Sequence, residues 1–224
     1  MSAVVFAACR SPAGDAAHAP VPARDRAAGL AAFETVRGVL QHPRCQNCHP
    51  AGDAPLQGDD SHVHMQSIQR GPEGQGMAGA ECTTCHGPAN PPSAYGLHVP
   101  PGNAKGWHMP PPEMRLVFVG LTPGQLCEQI KDPARNGGKD MAALRAHLDD
   151  PLVVWGWSPG FGRAPVSTAR DAFLAAWETW ARAGAPCPLA REPASAIFRH
   201  RLGERTPSWL LPIGPGSSSH ARHF

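Results

Sequence analysis

The chain contains one pattern, C-x-x-C-H, in two copies: Cys45-Gln46-Asn47-Cys48-His49 and Cys82-Thr83-Thr84-Cys85-His86. This pattern is the attachment motif of c-type haem. Within one turn of chain, two thiols can reach the two vinyl groups on one edge of a porphyrin, and the histidine that follows lies under the iron. We therefore predict two haem c groups. The covalent attachment points are Cys45, Cys48, Cys82 and Cys85, and the proximal iron ligands are His49 and His86.

Two other uses of paired cysteines fit the pattern less well. Zinc can bind two C-x-x-C pairs, but the 33 residues between Cys48 and Cys82 exceed the roughly 15–20 of the common zinc spacing. Zinc also gives no reason for a histidine after both pairs. A thioredoxin-like dithiol would need a βαβ context, which neither copy has. A zinc-binding structural protein remains an alternative prediction.

Each iron either has a sixth ligand or has an open coordination position. Where a sixth ligand is present, the choice between His and Met affects the reduction potential of the iron. Seven of the 12 histidines lie between residues 42 and 108, together with four of the seven cysteines. The distal ligands that we predict are His64 for the first iron and His108 for the second, with His42, Met109 and Met114 as rivals. His62, His98 and His147 are interpreted as exposed polar residues.

The composition leaves little bulky material for a hydrophobic core. Of 224 residues, 24 are Gly and 26 are Pro, and only 6% are aromatic. Chains with so few large side chains often use a bound cofactor or disulfides to complete their interior. The net charge of +2, without a basic stripe, gives no support for nucleic-acid binding. No run of about 18 apolar residues is present to predict a membrane span.

Hydrophobic periodicity and capping signals predict helices on both sides of the motifs. A first helix starts near Asp25 and stops before Pro43. After an irregular stretch rich in Gly and Pro, a capping box at Thr122 begins a second helix, a third starts near Asp140, and a fourth occupies about residues 167–184. The predicted fold class is mainly α with an extensive irregular loop and little or no strand, organised as a cytochrome c-like dihaem domain.

These patterns divide the chain into five segments. They are a lipoprotein-type signal (1–9), a tether (10–24), the dihaem-binding region (25–120), a helical region packed on it (121–187) and a tail predicted to be disordered (188–224). The apolar run before Cys9 resembles the lipobox of bacterial lipoproteins, although it lacks a positive n-region and is shorter than the usual h-region. Cys9 is therefore the predicted lipid anchor. The alternative is a signal-peptide remnant or disordered terminus with an incidental thiol.

Two cysteines remain once four are assigned to haem and one to lipid. They are Cys127, early in the second predicted helix, and Cys187, just after the fourth. Because haem c is attached on the oxidising side of the bacterial membrane, a disulfide between them is chemically permitted. The alternative is two unpaired buried thiols.

Further short motifs surround the two haem-attachment patterns. They are His42-Pro43-Arg44, Gln69-Arg70-Gly71-Pro72, Gly87-Pro88-Ala89-Asn90, Trp107-His108, Asp132-Pro133-Ala134-Arg135-Asn136-Gly137-Gly138, Trp155-Gly156-Trp157-Ser158-Pro159-Gly160 and Gly184-Ala185-Pro186-Cys187-Pro188. With them, the stretch from about Phe33 to Cys187 resembles the small dihaem c-type cytochromes of proteobacteria that are often called isoquinoline 1-oxidoreductase subunits. The resemblance implies redox partner proteins: a dehydrogenase, such as a molybdenum hydroxylase, as electron donor, and a downstream cytochrome or oxidase as acceptor.

The sequence thus predicts a periplasmic, lipid-anchored dihaem cytochrome c that transfers single electrons rather than an enzyme in its own right. No Ser/His/Asp arrangement, phosphate-binding loop or Rossmann glycine pattern stands out. The alternatives are a small haem peroxidase or reductase with one open iron site, a haem-based sensor, and the zinc-binding protein.

Overall fold

The computed structural model describes residues 22–189. Helices make up 43% of these residues and strands 5%, so the prediction of a mainly helical chain with irregular loops and little strand is confirmed. The predicted signal, its Cys9 and most of the tether lie in residues 1–21, outside the described part. The predicted tail lies outside it from residue 190 onward.

The described residues form eight α-helices, two hairpins and three short 3₁₀ helices. The α-helices are α1 (Ala23–Leu40), α2 (Pro43–Gln46), α3 (Cys82–Cys85), α4 (Pro123–Lys131), α5 (Pro133–Asn136), α6 (Met141–His147), α7 (Pro151–Val154) and α8 (Arg170–Arg182). The hairpins pair β1 (Leu56–Gln57) with β2 (His62–Val63), and β3 (Gly76–Met77) with β4 (Ala80–Glu81), both antiparallel. The 3₁₀ helices are Ser93–Tyr95, Pro112–Met114 and Trp155–Trp157.

The predicted capping signals begin the helices where the sequence indicates. The Thr122 hydroxyl accepts the Gln125 N–H at 3.3 Å, and the Gln125 side chain accepts the Thr122 N–H at 3.0 Å, which completes a capping box at α4. Asp140 caps α6 by accepting the Ala143 N–H at 2.8 Å. Helix α8 begins at Arg170, slightly later than predicted, and α1 begins at Ala23, slightly earlier.

Three one-turn helices were not predicted. Each of α2, α5 and α7 has Pro at its first position and is capped by the side chain of the residue before it: His42, Asp132 or Asp150. Proline at the first helical position loses no hydrogen bond, and its backbone angle already suits a helix. A single turn is too short to show hydrophobic periodicity, so pattern analysis misses these helices.

One hydrophobic core joins the long helices. Helices α1 and α8 pack against each other, with the Phe33 and Trp180 ring centroids 5.1 Å apart. The buried members of the core are Phe33, Val36, Val39, Leu40, Phe118, Leu126, Cys127, Ile130, Leu144, Leu148, Val166, Phe173, Trp177, Trp180 and Ala185. The helices on both sides of the motifs therefore form one unit.

A disulfide between Cys127 and Cys187 closes this unit, with the two Cα atoms 5.5 Å apart. It ties α4 to the chain just after α8, as the sequence predicted. The alternative of two unpaired thiols is wrong.

Buried polar side chains hold the irregular segment between α1 and α4. Arg44 donates to the Gly58 carbonyl at 2.9 Å, and Arg70 donates to the Gly52 carbonyl at 3.0 Å. Asn103 donates to the Pro151 carbonyl at 2.8 Å. These hydrogen bonds tie the irregular segment to itself and to Pro151 of α7, so the segment can stay ordered without regular structure. None of the described helices is both long enough and apolar enough to cross a membrane.

Candidate haem-attachment sites

The first C-x-x-C-H motif folds as a single helical turn. Cys45 lies in α2, the Cys48 N–H donates to the Cys45 carbonyl at 3.3 Å, and the His49 N–H donates to the same carbonyl at 3.2 Å. The ring of His42 caps this turn by accepting the Arg44 N–H on Nδ1 at 3.2 Å. The turn brings both thiols and the following histidine to one end of a short helix.

A segment far along the chain fixes the ring of His49. The carbonyl of Leu116 accepts a hydrogen bond from His49 Nδ1 at 2.8 Å, and the Phe118 N–H donates to the His49 carbonyl at 2.9 Å. The rings of His49 and Phe118 stack with centroids 4.0 Å apart. The side chain of Gln129 in α4 accepts a hydrogen bond from the Val117 N–H on Oε1 at 3.0 Å and donates one from Nε2 to the Val117 carbonyl. A carbonyl can only accept, so Nδ1 carries the proton and Nε2 is the nitrogen left for a metal.

Burial controls the protonation of the first motif. It raises the pKa of the Cys45 thiol to about 12 and that of Cys48 to about 11, with the nearby Cys82 thiol adding to the rise at Cys48. It lowers the pKa of His49 to about 4. At neutral pH the His49 imidazole is therefore uncharged, as a metal ligand must be.

A cavity of about 340 Å³ lies beside the first motif. Cys45, Cys48 and His49 line it, and its apolar wall comes from the helical core. The apolar lining residues are Val39, Leu40, Met109, Met114, Leu116, Phe118, Ile130, Leu144, Leu148, Leu152, Val153, Trp157, Phe173 and Trp177. Charged residues, among them Glu73, Lys105, Lys139 and Asp150, also line the cavity, so it connects the core with a polar surface.

The second motif also begins as one helical turn, because α3 spans Cys82 to Cys85 directly after β4. The His86 Nδ1 atom donates to the Pro101 carbonyl at 2.8 Å, which repeats the arrangement at His49. Burial lowers the pKa of His86, although the Pro101 hydrogen bond opposes this effect. The ring of Trp107 lies 4.8 Å from that of His86, centroid to centroid. The second site is more open than the first, since Cys85 is exposed.

Two asparagines lock the loop that carries the Pro101 carbonyl. Asn90 accepts the Gly102 N–H at 3.2 Å and the Trp155 indole N–H at 3.0 Å. The Asn103 N–H donates to the Gly87 carbonyl at 3.0 Å. A methyl group on Gly102 would overlap the Ala89 carbonyl. The two segments therefore touch at backbone distance, and this contact positions the carbonyl for His86.

The candidate sixth ligands divide between the two motifs. The ring of His64, predicted for the first iron, lies 6.3 Å from that of His86 in the second motif. His108, predicted for the second iron, lines the cavity beside the first motif, as do Met109 and Met114. His42 caps α2.

Sequence analysis missed several residues that shape the first site. His147, interpreted as an exposed residue, lines the cavity, and burial lowers its pKa with a further contribution from His108. The residue is nevertheless exposed, as the sequence analysis interpreted it. The Leu116 carbonyl and the Gln129 side chain had no local signal at all, because their role depends on contacts between distant segments.

The donors present fit haem. The four motif cysteines are free thiols, and each motif histidine presents Nε2. Two buried donors near the motifs, the Arg44 Nε–H and the Trp107 indole N–H, have no hydrogen-bond partner within residues 22–189; haem carries two propionates that can accept such bonds. In the same residues no group of three or more His, Cys, Asp or Glu side chains is arranged to hold a metal ion by itself.

Comparisons of the chain with models of protein families, with curated proteins and with solved structures find no match.

Proposed function

We propose that this chain is a dihaem c-type cytochrome that transfers single electrons. One repeated observation carries the proposal: His49 and His86 each donate Nδ1–H to a backbone carbonyl of another segment, Leu116 in one case and Pro101 in the other. Metal-bound histidines almost always make this second hydrogen bond, which fixes the tautomer and aims Nε2 at the metal. Two accidental copies of the motif would have no reason to share it.

The chain's own residues supply attachment, orientation and burial. Cys45 and Cys48 would hold one haem and Cys82 and Cys85 the other, with His49 and His86 as proximal ligands. A bound haem supplies one-electron exchange at its iron. The Leu116 and Pro101 carbonyls fix the proton of each imidazole on Nδ1 and hold the ring in place, and burial lowers the pKa of both histidines so that the rings stay uncharged. The apolar part of the cavity wall would shield one side of a haem at the first site from water, which would tune the potential of its iron.

The proximity of the two motifs supports electron exchange between the two sites. The Cys82 thiol acts electrostatically on Cys48. One site opens into the core and the other has its outer cysteine exposed. In this proposal the second site, with its exposed Cys85, would face the redox partners, and the first would lie against the core.

The resemblance to small proteobacterial dihaem cytochromes supports the partners that we propose. They are a dehydrogenase such as a molybdenum hydroxylase as donor and a downstream cytochrome or oxidase as acceptor. A periplasmic location with Cys9 as lipid anchor belongs to the same proposal. The disulfide between Cys127 and Cys187 is compatible with an oxidising compartment.

The first experiment is a haem count. The full chain is produced in a host with the haem c maturation machinery, alongside C45A/C48A, C82A/C85A and the quadruple variant. A pyridine haemochrome assay should find two covalent haems per full chain, one in each of C45A/C48A and C82A/C85A, and none in the quadruple variant. A host without that machinery is the control. Protein that carries no haem but binds stoichiometric zinc through the same cysteines would overturn the proposal in favour of the zinc alternative.

A further inference from the structure

The hairpin between the two motifs brings one histidine to the second motif. His64 directly follows β2, and its N–H donates to the Pro55 carbonyl at 2.9 Å, which holds it in the hairpin. Its ring centroid lies 6.3 Å from that of His86, with the ring planes inclined at 60°. The two residues are far apart in sequence, so this approach depends on the folded loop.

The rings of His64 and His86 are in the same tautomeric state. His64 Nδ1 donates to the Met65 carbonyl at 2.6 Å, and His86 Nδ1 donates to the Pro101 carbonyl at 2.8 Å. In each ring Nδ1 must carry the proton, because the partner is a carbonyl oxygen. Nε2 is therefore the free electron-pair donor in both rings.

The separation of the rings suits two ligands of a single metal ion. A metal–imidazole nitrogen bond is about 2 Å long, and the ring centre lies about 1 Å beyond the nitrogen. Two imidazoles on opposite faces of one metal then have centroids about 6 Å apart. The observed 6.3 Å agrees with this value.

The residues on either side of His64 are consistent with a surface that an apolar group covers. Val63 is 61% exposed and Met65 is 59% exposed. Two exposed apolar side chains therefore flank His64 in the sequence.

We propose that His64 is the sixth ligand of the iron held by the second motif, so that this iron has two histidine ligands. The inference rests on the proposed function, and it reverses the pairing that sequence order suggests. The chain after the first motif thereby completes the site of the second. A second histidine gives a lower reduction potential than a methionine would, and it closes the iron to external ligands.

Single-haem variants separate the two sites. His64→Ala is introduced into C45A/C48A, which keeps the second haem, and into C82A/C85A, which keeps the first. In C45A/C48A, His64→Ala should convert the remaining haem from low spin to high spin, as observed by electron paramagnetic resonance. It should also allow carbon monoxide to bind to that haem. In C82A/C85A it should change neither property.

His62→Ala is the matched control, because His62 lies in the same hairpin and bonds only to the exposed Asp60. It should leave both haems low spin. A second haem that stays low spin after His64→Ala, or an effect of His64→Ala on the first haem instead, would overturn the inference.

His64→Met in the full chain provides an independent test if the alanine variant folds poorly. The midpoint potential of one haem should rise and that of the other should not. Two unchanged potentials would contradict the inference. The haem count of each preparation distinguishes a failure of this inference from a failure of the proposed function. Two haems per chain with unaltered spectra would contradict only the role of His64. The absence of covalent haem would contradict both.

Discussion

Each motif histidine depends on one backbone carbonyl for its orientation. The carbonyl for His86 comes from Pro101, and the next residue, Gly102, lies against the backbone of Ala89. The carbonyl for His49 comes from Leu116. Since the position of a carbonyl depends on how closely its segment packs, Gly102 affects the orientation of His86 indirectly.

Gly102→Ala should disturb the second site. The added methyl group would overlap the Ala89 carbonyl, and overpacking of this kind costs about 1–3 kcal/mol. The Pro101 carbonyl should then shift away from His86. We expect a lower melting temperature and a reduced haem count at the second motif.

The matched control is Gly87→Ala, in the same segment, where a Cβ atom meets nothing within 4 Å. This variant should keep both haems. Equal behaviour of the two variants would show that the close contact at Gly102 is unimportant.

The protonation of His49 predicts a pH dependence for the haem-free chain. Burial lowers its pKa to about 4, against about 6.5 in an unfolded chain. The unfolded state therefore binds more protons between these values, and stability falls as the pH drops below about 6.5. The contribution of His49 between pH 7.5 and pH 5 is a loss of about 2 kcal/mol.

Urea unfolding of the haem-free chain and of His49→Gln at both pH values measures this effect. The variant should lose less stability than the parent. Other buried histidines contribute equally to both proteins, so a parallel loss would assign the pH dependence to them.

At the scale of elements, the packing of α1 against α8 relies on a missing side chain. A Cβ atom on Gly29 would lie 2.6 Å from the Ala183 Cβ and 2.8 Å from Pro186 Cγ. Gly29→Ala should therefore destabilise the protein by about 1–3 kcal/mol through overpacking.

The matched control is Gly38→Ala on the same helix, where the new methyl group meets nothing within 4 Å. The higher helix propensity of Ala should stabilise this variant by up to about 1 kcal/mol.

Chemical denaturation of both variants gives the comparison. Opposite signs are the expected result. Stabilisation by both substitutions would mean that the contact of α1 with the end of α8 is loose in solution.

The disulfide also joins two elements, α4 and the chain just after α8. Cys127 and Cys187 are 60 residues apart, and closing a loop of that length stabilises a protein by about 4 kcal/mol in the chain-entropy model. C127A/C187A should lose about this amount in urea unfolding. Dithiothreitol should weaken the parent and leave the variant unchanged; an equal response would show that the reductant acts elsewhere.

At the scale of the whole molecule, the two sites differ in their relation to the core. Core side chains, among them Ile130, Leu144 and Phe173, form the wall beside the first motif. Cys85 of the second motif is exposed. Filling the first cavity restores contacts that the core otherwise lacks.

The loss of the first haem should therefore destabilise the molecule more than the loss of the second. C45A/C48A should have a lower melting temperature than C82A/C85A, as followed by far-ultraviolet circular dichroism. The reverse order would place the main stabilising contacts of haem at the second motif.

Local sequence predicted the longer helices and their caps, but it did not predict the one-turn helices α2, α5 and α7. The Thr122 capping box, the Asp140 cap and the periodic faces of the long helices lie where their patterns predict. Each C-x-x-C-H motif folds as one turn for the same reason, since its contacts span only a few residues. Counting the cysteines left over predicted a Cys127–Cys187 disulfide with two unpaired thiols as the alternative, and the structure shows the disulfide.

The surroundings of each motif histidine were not predictable in this way. The bond from His49 to Leu116 joins residues 67 positions apart, and the approach of His64 to His86 depends on how an irregular loop folds back. A loop rich in Gly and Pro has no periodic face to indicate what it touches. Tertiary packing alone places each candidate ligand beside a particular motif, because spacing along the chain limits reach but not direction.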